Sequence, residues 1–267
     1  NSMLNTFVIA YLVVSIAIGL LATLRVKNSR DFISAGRSLP LSVVTATMFA
    51  TWFGSESILG APSTFLNEGL GGIVADPFGA AFCLIFAGMF FARALYRRNL
   101  LTIGDFFRER YGRESEVITS VAIMLSYLGW VSAQMIALGV IFSSLSGGSI
   151  SHDEGILIGS AIVIFYTMFG GMWSVAVTSF VQMIIIIVAL LVITYVVAGN
   201  AGGVMVVVDH AQAAGKFEGF WPEMSAASML AWIGAVVTLE LGSIPQQDVF
   251  QRMKTSKNEK VTGAGSL

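Results

Sequence analysis

The chain has 267 residues, a formal net charge of −1, 55% hydrophobic residues and only 12% charged residues. Soluble domains carry roughly 25% charged residues, and apolar runs of about 20 residues match the ~30 Å hydrocarbon core of a bilayer. We therefore predict an all-α polytopic membrane protein. The near-neutral charge argues against nucleic acid as a partner. The lone Cys83 offers no disulfide or metal framework, and no residue constellation suggests an enzyme.

Seven apolar spans are predicted within a single transmembrane domain over residues 1–267, and we number them span 0 to span 6. Two connecting segments also have a predictable place. Residues 100–116 mix apolar and charged side chains at helical spacing, which predicts a helix on the membrane surface. The short apolar segment 201–215 is expected to pack over the outer mouth. In chain order, the spans cover residues 4–24, 40–66, 72–96, 116–145, 154–170, 172–199 and 224–250.

The basic residues predict the orientation of these spans. Of the 15 lysines and arginines, 13 follow span 0, span 2 or span 6 and a fourteenth, Arg93, lies in the last turn of span 2; these three segments share one side if the seven spans are right. Because basic loops stay in the cytoplasm, we expect the N-terminus outside and the C-terminus in the cytoplasm, in a multi-pass protein of the plasma (inner) membrane.

Two spans carry residues that interrupt a helix. Span 1 contains "TWFGSESILGAP", with Gly54 and Pro62, and span 6 contains "LELGSIPQQ", with Gly242 and Pro245. Irregular backbone at membrane depth is tolerated only where it is buried in protein or lines a cavity. Two broken spans five helices apart predict an inverted-repeat transporter with a binding site near the midplane. Simple proline kinks in a packed bundle are the alternative.

Three motifs, in this order, resemble the sodium:solute symporter family: "RDFISAGRSLP" (30–40), "YTMFGGMWSVAVTSFVQ" (166–182) and "IPQQDVFQRMKTSKNEK" (244–260). The resemblance extends over nearly all of the chain. "TATMFATWFG", "LGW" and "FQRM" lean toward the choline-transporter-like branch. The family's fold is a LeuT-type core of ten helices in two inverted repeats, here preceded by an extra helix. The chain would then supply the extra helix, the first repeat and span 6, with helices 1 and 6 broken, and about four more core helices are expected in the complete protein.

The resemblance implies a sodium-coupled symporter of a small organic solute, with Na+ as the coupling ion. It assigns two backbone carbonyls of the sodium site to Ala50 and Phe53, and the remaining ligands to a helix beyond this chain. Sodium is a hard cation, and an unwound turn exposes carbonyl oxygens. Ser179 stands where the family has an aspartate, which argues against a second sodium ion.

The same resemblance assigns the substrate contacts to the broken helices and their neighbours. A carboxylate in a span costs on the order of 3 kcal/mol, so Glu56 and Glu240 are expected to face a cavity, unless they are protonated acids or helix–helix bonds. Asp76 can instead cap a helix before Pro77. The predicted contacts are Trp52, Ser55, Glu56, Ser57, Asp76, Trp130, Gln134, Glu240, Gln246 and Gln247.

The chemistry of these residues favours a cationic or zwitterionic solute. Trp52 and Trp130 suit a cationic head, although tryptophans are also common in cores. Ala80 and Gln246 stand where the choline branch has aromatic residues, which argues against choline itself. The alternative function is a transporter-like sensory module of a larger signalling protein. The lipid bilayer is the other expected partner, and the oligomeric state stays open.

Overall fold

The computed structural model describes residues 2–98 and 100–266, and leaves the side chains of residues 2–5, 166, 239 and 240 undescribed. Within these ranges the chain consists of helices and turns, and its one isolated β-bridge pairs Leu39 with Ser256. The predicted all-α class is confirmed. The α-helices of the described residues are α1 (Ser2–Ala22), α2 (Ser29–Ser34), α3 (Leu41–Trp52), α4 (Ala61–Glu68), α5 (Ala80–Phe86), α6 (Ala92–Arg97), α7 (Ile103–Tyr111), α8 (Arg113–Leu145), α9 (His152–Asn200), α10 (Val204–Ala213), α11 (Ala226–Gly242), α12 (Gln247–Thr255) and α13 (Glu259–Ser266).

Span 1 is broken where the sequence predicted it. Helix α3 ends at Trp52, a π-helical turn covers Glu56–Gly60, and α4 begins at Ala61. Pro62 lies in the first turn of α4, directly after the π-helical turn and ten residues beyond the end of α3. The glycine-rich stretch before it, and not the proline, therefore forms the break.

Span 6 is also broken. Helix α11 ends at Gly242 and α12 begins at Gln247. Pro245 lies in the non-helical linker between the two helices. Because proline cannot continue the helical hydrogen-bond ladder, the backbone turns away here and exposes polar groups to the space between the broken spans.

Spans 4 and 5 form one helical stretch, α9, which bends at a single glycine. Gly171 has φ 49° and ψ −140°, outside the helical region. A Cβ at this position would lie 2.5 Å from the carbonyl oxygen of Phe32. Glycine is required here both by the positive φ and by the close approach of the backbone that leads into α3.

Four helical stretches among the described residues are long and apolar enough to cross a membrane: Thr6–Arg25, Glu56–Arg97, Arg113–Leu145 and Thr167–Asn200. The breaks divide spans 1 and 6 into shorter pieces such as Leu41–Trp52, which has 12 residues. At 1.5 Å per residue such a piece covers only part of the bilayer, so each broken span crosses with its two pieces in series.

The best-buried part of the molecule lies at the end that carries most of the basic residues, which we call the basic end. Helix α12 contributes the buried Val249, Phe250 and Met253, which pack against residues of α3, α6 and α7. The backbone of Leu39 also accepts a hydrogen bond from Lys257 N at 3.1 Å. The lower halves of both broken spans are thereby joined at the basic end, which holds the two breaks side by side.

Candidate functional site

A cavity of about 620 Å³ opens between the two breaks. Its walls come from the end of α3, the π-helical turn, the start of span 2, the middle of α8 and the linker between α11 and α12. Its volume is in the range of natural ligand pockets. The lining residues are Thr51, Trp52, Glu56, Asp76, Ala122, Ile123, Ser126, Tyr127, Trp130, Gly242, Ser243, Pro245, Gln246 and Asp248.

Three carboxylates line this cavity, namely Glu56, Asp76 and Asp248. The sequence predicted Glu56 and Asp76 but missed Asp248, which reads there as an ordinary acidic residue in the first turn of a helix. The side chain of Glu240, the other predicted acid, lies outside the described residues. Three carboxylates in one cavity repel one another, so the cavity favours a positively charged occupant.

Gln134 of α8 holds the Glu56 carboxylate in place. Its Nε2 donates to Glu56 Oε1 at 3.0 Å and to Oε2 at 2.8 Å. Its Oε1 accepts a longer hydrogen bond from the backbone N–H of Ser55 at 3.4 Å. One amide side chain thus joins the irregular turn of span 1 to span 3, and fixes the direction in which the acid points.

Asp76 does not cap the following helix. Its backbone is extended, with φ −129° and ψ 117°, as expected for a residue before proline. No capping hydrogen bond from its side chain is recorded in the described part of the chain. The structure therefore favours the cavity-lining alternative over the capping one.

Aromatic side chains form another wall of the cavity. Trp52 and Trp130 line it, as the sequence suggested. Tyr127 of α8, which the sequence did not identify, lines it as well, next to the second break. The rings of Tyr127 and Trp130 meet edge to face, with centroids 6.2 Å apart. The Tyr127 hydroxyl accepts a hydrogen bond from Asp248 N at 2.9 Å. The aromatic wall is thereby tied to the start of α12.

The remaining predicted contacts have different surroundings. Gln246 lines the cavity. The Ser57 hydroxyl donates to the carbonyl of Trp52 at 3.1 Å. The Gln247 side chain accepts a hydrogen bond from Ile103 N at 2.8 Å. It lines a second cavity, which lies nearer the basic end. Ser57 and Gln247 thus form hydrogen bonds at the two breaks and do not line the cavity between them.

The carbonyls assigned to sodium lie at the break of span 1. Phe53 N donates to Phe49 O at 2.8 Å, and the next recorded backbone bond runs from Ile58 N to Gly54 O at 3.2 Å. Among the described residues, this leaves the carbonyls of Ala50 and Phe53 without a backbone donor. Carbonyl oxygens of this kind suit a hard cation such as Na+, which is the role that the family resemblance assigns to them.

A lower cavity of about 420 Å³ adjoins the upper one toward the basic end, and the half-buried cation Arg252 lines it. Its Nε donates to Thr51 Oγ1 at 3.1 Å. Asp248, which lines both cavities, interacts electrostatically with this guanidinium. The sequence places Arg252 among the basic residues that follow span 6. Arg252 reaches the site from beyond span 6 because α12 is short and turns inward.

Comparisons with known proteins agree with this architecture. The profile of the sodium:solute symporter family matches residues 32–267. High-affinity choline transporter 1 of Caenorhabditis elegans is 30% identical over 94% of this chain, and the human high affinity choline transporter 1 is 28% identical over 94%. The chain covers 44% of each of these relatives. The high-affinity proline transporter PutP of Bacillus subtilis is 30% identical over 70% of this chain, which covers 40% of that protein.

The fold agrees with a solved structure as well. A substrate-bound, outward-open Na+-coupled sialic acid symporter superposes with a TM-score of 0.87 at 19% identity, over 98% of this chain and 56% of that chain. The chain therefore spans about half the length of the proteins it matches, and its helices follow the LeuT-type fold predicted from the sequence. The profile match over most of the chain shows that this multi-pass membrane chain belongs to the sodium:solute symporter family.

Proposed function

We propose that the protein containing this chain is a sodium-coupled symporter of a small organic solute with a positively charged group, working by alternating access. The observation that carries the proposal is the cavity between the two breaks, which is lined by Glu56, Asp76 and Asp248. Broken helices that meet around such a cavity supply both backbone ligands for a cation and side chains for a solute.

The charges of the cavity favour a cationic or zwitterionic solute over a sugar or a simple carboxylate. Carboxylates that line one cavity are stabilised by a positively charged partner, and among the described residues Arg252 is such a partner for Asp248. Glu56 accepts a hydrogen bond from the neutral amide of Gln134, and this bond does not compensate the charge of a carboxylate. An ammonium or quaternary ammonium group supplies the missing charge, and the ring of Trp130 offers it a π face.

Sodium coupling is supported by the exposed carbonyls of Ala50 and Phe53 together with family membership. We further propose that the basic end faces the cytoplasm, because basic segments are retained on that side. The solute and the ion would then enter from the opposite side and leave past the lower cavity.

Uptake by the full-length protein in proteoliposomes tests the proposal. We expect uptake of an amine, betaine or amino acid to require an inward sodium gradient, and to exceed the uptake of sugars and monocarboxylates. Glu56→Gln should lower the apparent affinity for the transported solute about tenfold or more, since a bond to a charged group is lost. Glu218→Gln is the matched control, because Glu218 is exposed and does not line the cavity.

Three results would contradict the proposal. Preference for sugars or monocarboxylates, or full transport by Glu56→Gln, would overturn the charge argument. Uptake that is equally fast without sodium would overturn the coupling. Solute binding without any uptake would favour the sensory module.

A further inference from the structure

We propose that the basic end carries a binding site for a phosphate group, distinct from the solute cavity. The site is a cleft in which three cations, Arg30, Arg37 and Lys254, converge from separate segments of the chain. The cleft lies between α2, the turn before α3, the segment after α6 and α12. Its lining residues are Arg30, Ile33, Ser34, Arg37, Leu100, Leu101, Gln251 and Lys254.

Each cation is oriented differently toward this cleft. Arg30 is exposed, and no hydrogen bond or ion pair of its guanidinium is recorded in the part of the chain that the structure describes. Arg37 stacks on the ring of Tyr96 at 3.9 Å, and one of its Nη atoms donates to Tyr96 O at 3.0 Å. This contact holds the Arg37 side chain in a fixed orientation, with its positive charge at the wall of the cleft.

Lys254 forms the floor of the cleft. It is only 5% exposed, and its Nζ donates to the carbonyl of Arg98 at 2.7 Å and to the carbonyl of Leu100. Both partners are neutral oxygens, which satisfy the donors without balancing the charge. The recorded hydrogen-bond partners of the Lys254 ammonium therefore leave its own charge unbalanced.

The acids near the cleft are occupied elsewhere. The Asp105 carboxylate accepts hydrogen bonds from Leu101 N at 3.1 Å and Thr102 N at 2.9 Å, at the start of α7. Asp31 accepts one from Lys27 N at 3.1 Å. Neither carboxylate lines the cleft, whose charged lining residues are all cations.

The pKa of Lys254 agrees with this imbalance. Burial, followed by repulsion from Arg37, lowers the pKa of the Lys254 ammonium to about 8, against the opposing attraction of Asp105, and Arg30 lowers it further. An anion seated between the three cations would remove this repulsion. The imbalance and the geometry thus point to the same missing partner.

The shape of the cleft and the residue types favour a phosphate group. Guanidinium groups bind phosphate oxygens in a bidentate manner. The enclosed part of the cleft, about 20 Å³, has room for one water-sized group, such as a single phosphate oxygen. The rest of the group would occupy the open mouth, where Arg30 and Leu101 are exposed. Basic pockets between helices at the cytoplasmic surface suit anionic lipid headgroups, and a free phosphate offers the same chemistry.

A phosphate bound here would join α2 to α12. These helices are already linked by Gln251, whose Nε2 donates to Ile33 O at 2.6 Å. Because α12 is the lower half of the broken span 6, a second link through the phosphate would stabilise the closed packing of the basic end. Binding should therefore raise the thermal stability of the protein.

The test measures binding to the detergent-purified full-length protein at about 0.15 M salt, where charges more than ~8 Å away are screened. Three probes are titrated: dihexanoyl phosphatidylglycerol, its zwitterionic phosphatidylcholine analogue, and inorganic phosphate. The midpoint of thermal unfolding and the number of bound lipids by native mass spectrometry are recorded. We expect the anionic lipid or phosphate to bind and stabilise, and the zwitterionic analogue to do neither.

Substitutions locate the binding in the cleft. Arg30→Gln should weaken binding about fivefold, the effect of one basic charge near an anionic headgroup, and Arg30→Gln combined with Arg37→Gln should abolish it. Lys260→Gln is the control, since Lys260 is exposed at the same end and does not line the cleft. Arg30 is exposed, so its replacement should leave folding and solute uptake unchanged.

The results distinguish the source of the phosphate group and can also exclude the site. Stabilisation by the anionic lipid alone assigns a lipid headgroup, and stabilisation by inorganic phosphate assigns a soluble source. The proposal is overturned if neither probe binds, if the zwitterionic lipid binds equally well, or if Arg30→Gln and Lys260→Gln weaken binding to the same extent.

Discussion

Arg252 of α12 donates its Nε–H to the hydroxyl of Thr51, the penultimate residue of α3, at 3.1 Å. The bond connects the lower halves of the two broken spans next to the exposed carbonyl of Ala50. A second donor of the same guanidinium reaches the sulfur of Met172 at 3.3 Å. One side chain of α12 thus contacts span 1 and the start of span 5 below the solute cavity.

Removing this link should destabilise the protein and disturb the break. We expect Arg252→Met to lower the free energy of unfolding by about 2 kcal/mol, because a hydrogen bond to a charged group is lost. Thr51→Val should cost about 1 kcal/mol or more by leaving the donor unpaired. In a double-mutant cycle on the purified protein the two changes should couple by more than about 0.5 kcal/mol.

Lys257→Met serves as the control, since Lys257 is an exposed cation at the same end and should change stability by less than about 0.5 kcal/mol. Additive effects of Arg252→Met and Thr51→Val would show that the bond contributes nothing.

Gly171 should not tolerate a side chain. Alanine there would adopt φ 49° and ψ −140° with its Cβ 2.5 Å from Phe32 O. We expect Gly171→Ala to destabilise the protein by more than about 2 kcal/mol, from backbone strain and steric overlap together, and to lower the yield of monodisperse protein. Gly199→Ala in the same helix is the control, because its Cβ would meet nothing within 4 Å and alanine favours a helix. Equal thermal midpoints for the two variants would refute the argument.

The pH dependence of stability should reveal Lys254. Its folded pKa is lowered from 10.5 to about 8, first by burial, so the folded state binds fewer protons than the unfolded state between these values. Stability should therefore rise with pH through this window, and the charge penalty should be fully present below it. We expect Lys254→Met to lack the rise that the wild type shows between about pH 8 and 10 in thermal unfolding. An identical pH slope in both proteins would contradict the assignment.

Much of the fold follows from local sequence signals. Helix breaks need glycine or proline and are costly in lipid, so Gly54, Gly242 and Pro245 mark them without any structural information. Glu56 was identified for a similar reason, since a carboxylate in an apolar span is costly unless it faces a cavity or a partner. These features depend on residues that are neighbours in the chain.

The missed features depend on residues that are distant in the chain. Asp248 and Arg252 read as an ordinary charged helix end, and only the inward turn of α12 brings them to the cavity. The pairing of Gln134 with Glu56 joins positions 78 residues apart, and no local pattern predicts it. Asp76 was ambiguous for the opposite reason, because an aspartate before proline suits both a cap and an extended turn.

Membrane orientation can be tested by labelling in a Cys83→Ala background. Cys83 is buried, so its replacement should leave the surface unchanged. A cysteine at Asn28 lies at the basic end and should react only with a reagent applied from the cytoplasm. A cysteine at Ser149, in the turn between α8 and α9, should react only from outside. Reversed labelling at either site would overturn the proposed orientation.

Sodium stoichiometry is the last prediction, and it follows from the lower cavity. Ser179 is 6% exposed and lines this cavity together with Gln182 and Arg252. A serine hydroxyl carries no charge, and the nearby guanidinium repels a second cation. We therefore expect uptake by the full-length protein to depend on sodium with a Hill coefficient of about one, as for a single ion bound at the break of span 1.

Ser179→Asp should change this dependence, because it adds a carboxylate beside the lower cavity. If Arg252 alone excludes a second ion, the new acid pairs with it and the coefficient stays at about one. In the double variant Ser179→Asp, Arg252→Gln the carboxylate lacks that partner, and the coefficient should rise toward about two. Ser179→Ala is the neutral control and should match the wild type. Sodium dependence of uptake and sodium-induced thermal stabilisation measure the effect independently. A Hill coefficient of about two in the wild type would contradict the prediction of a single bound ion.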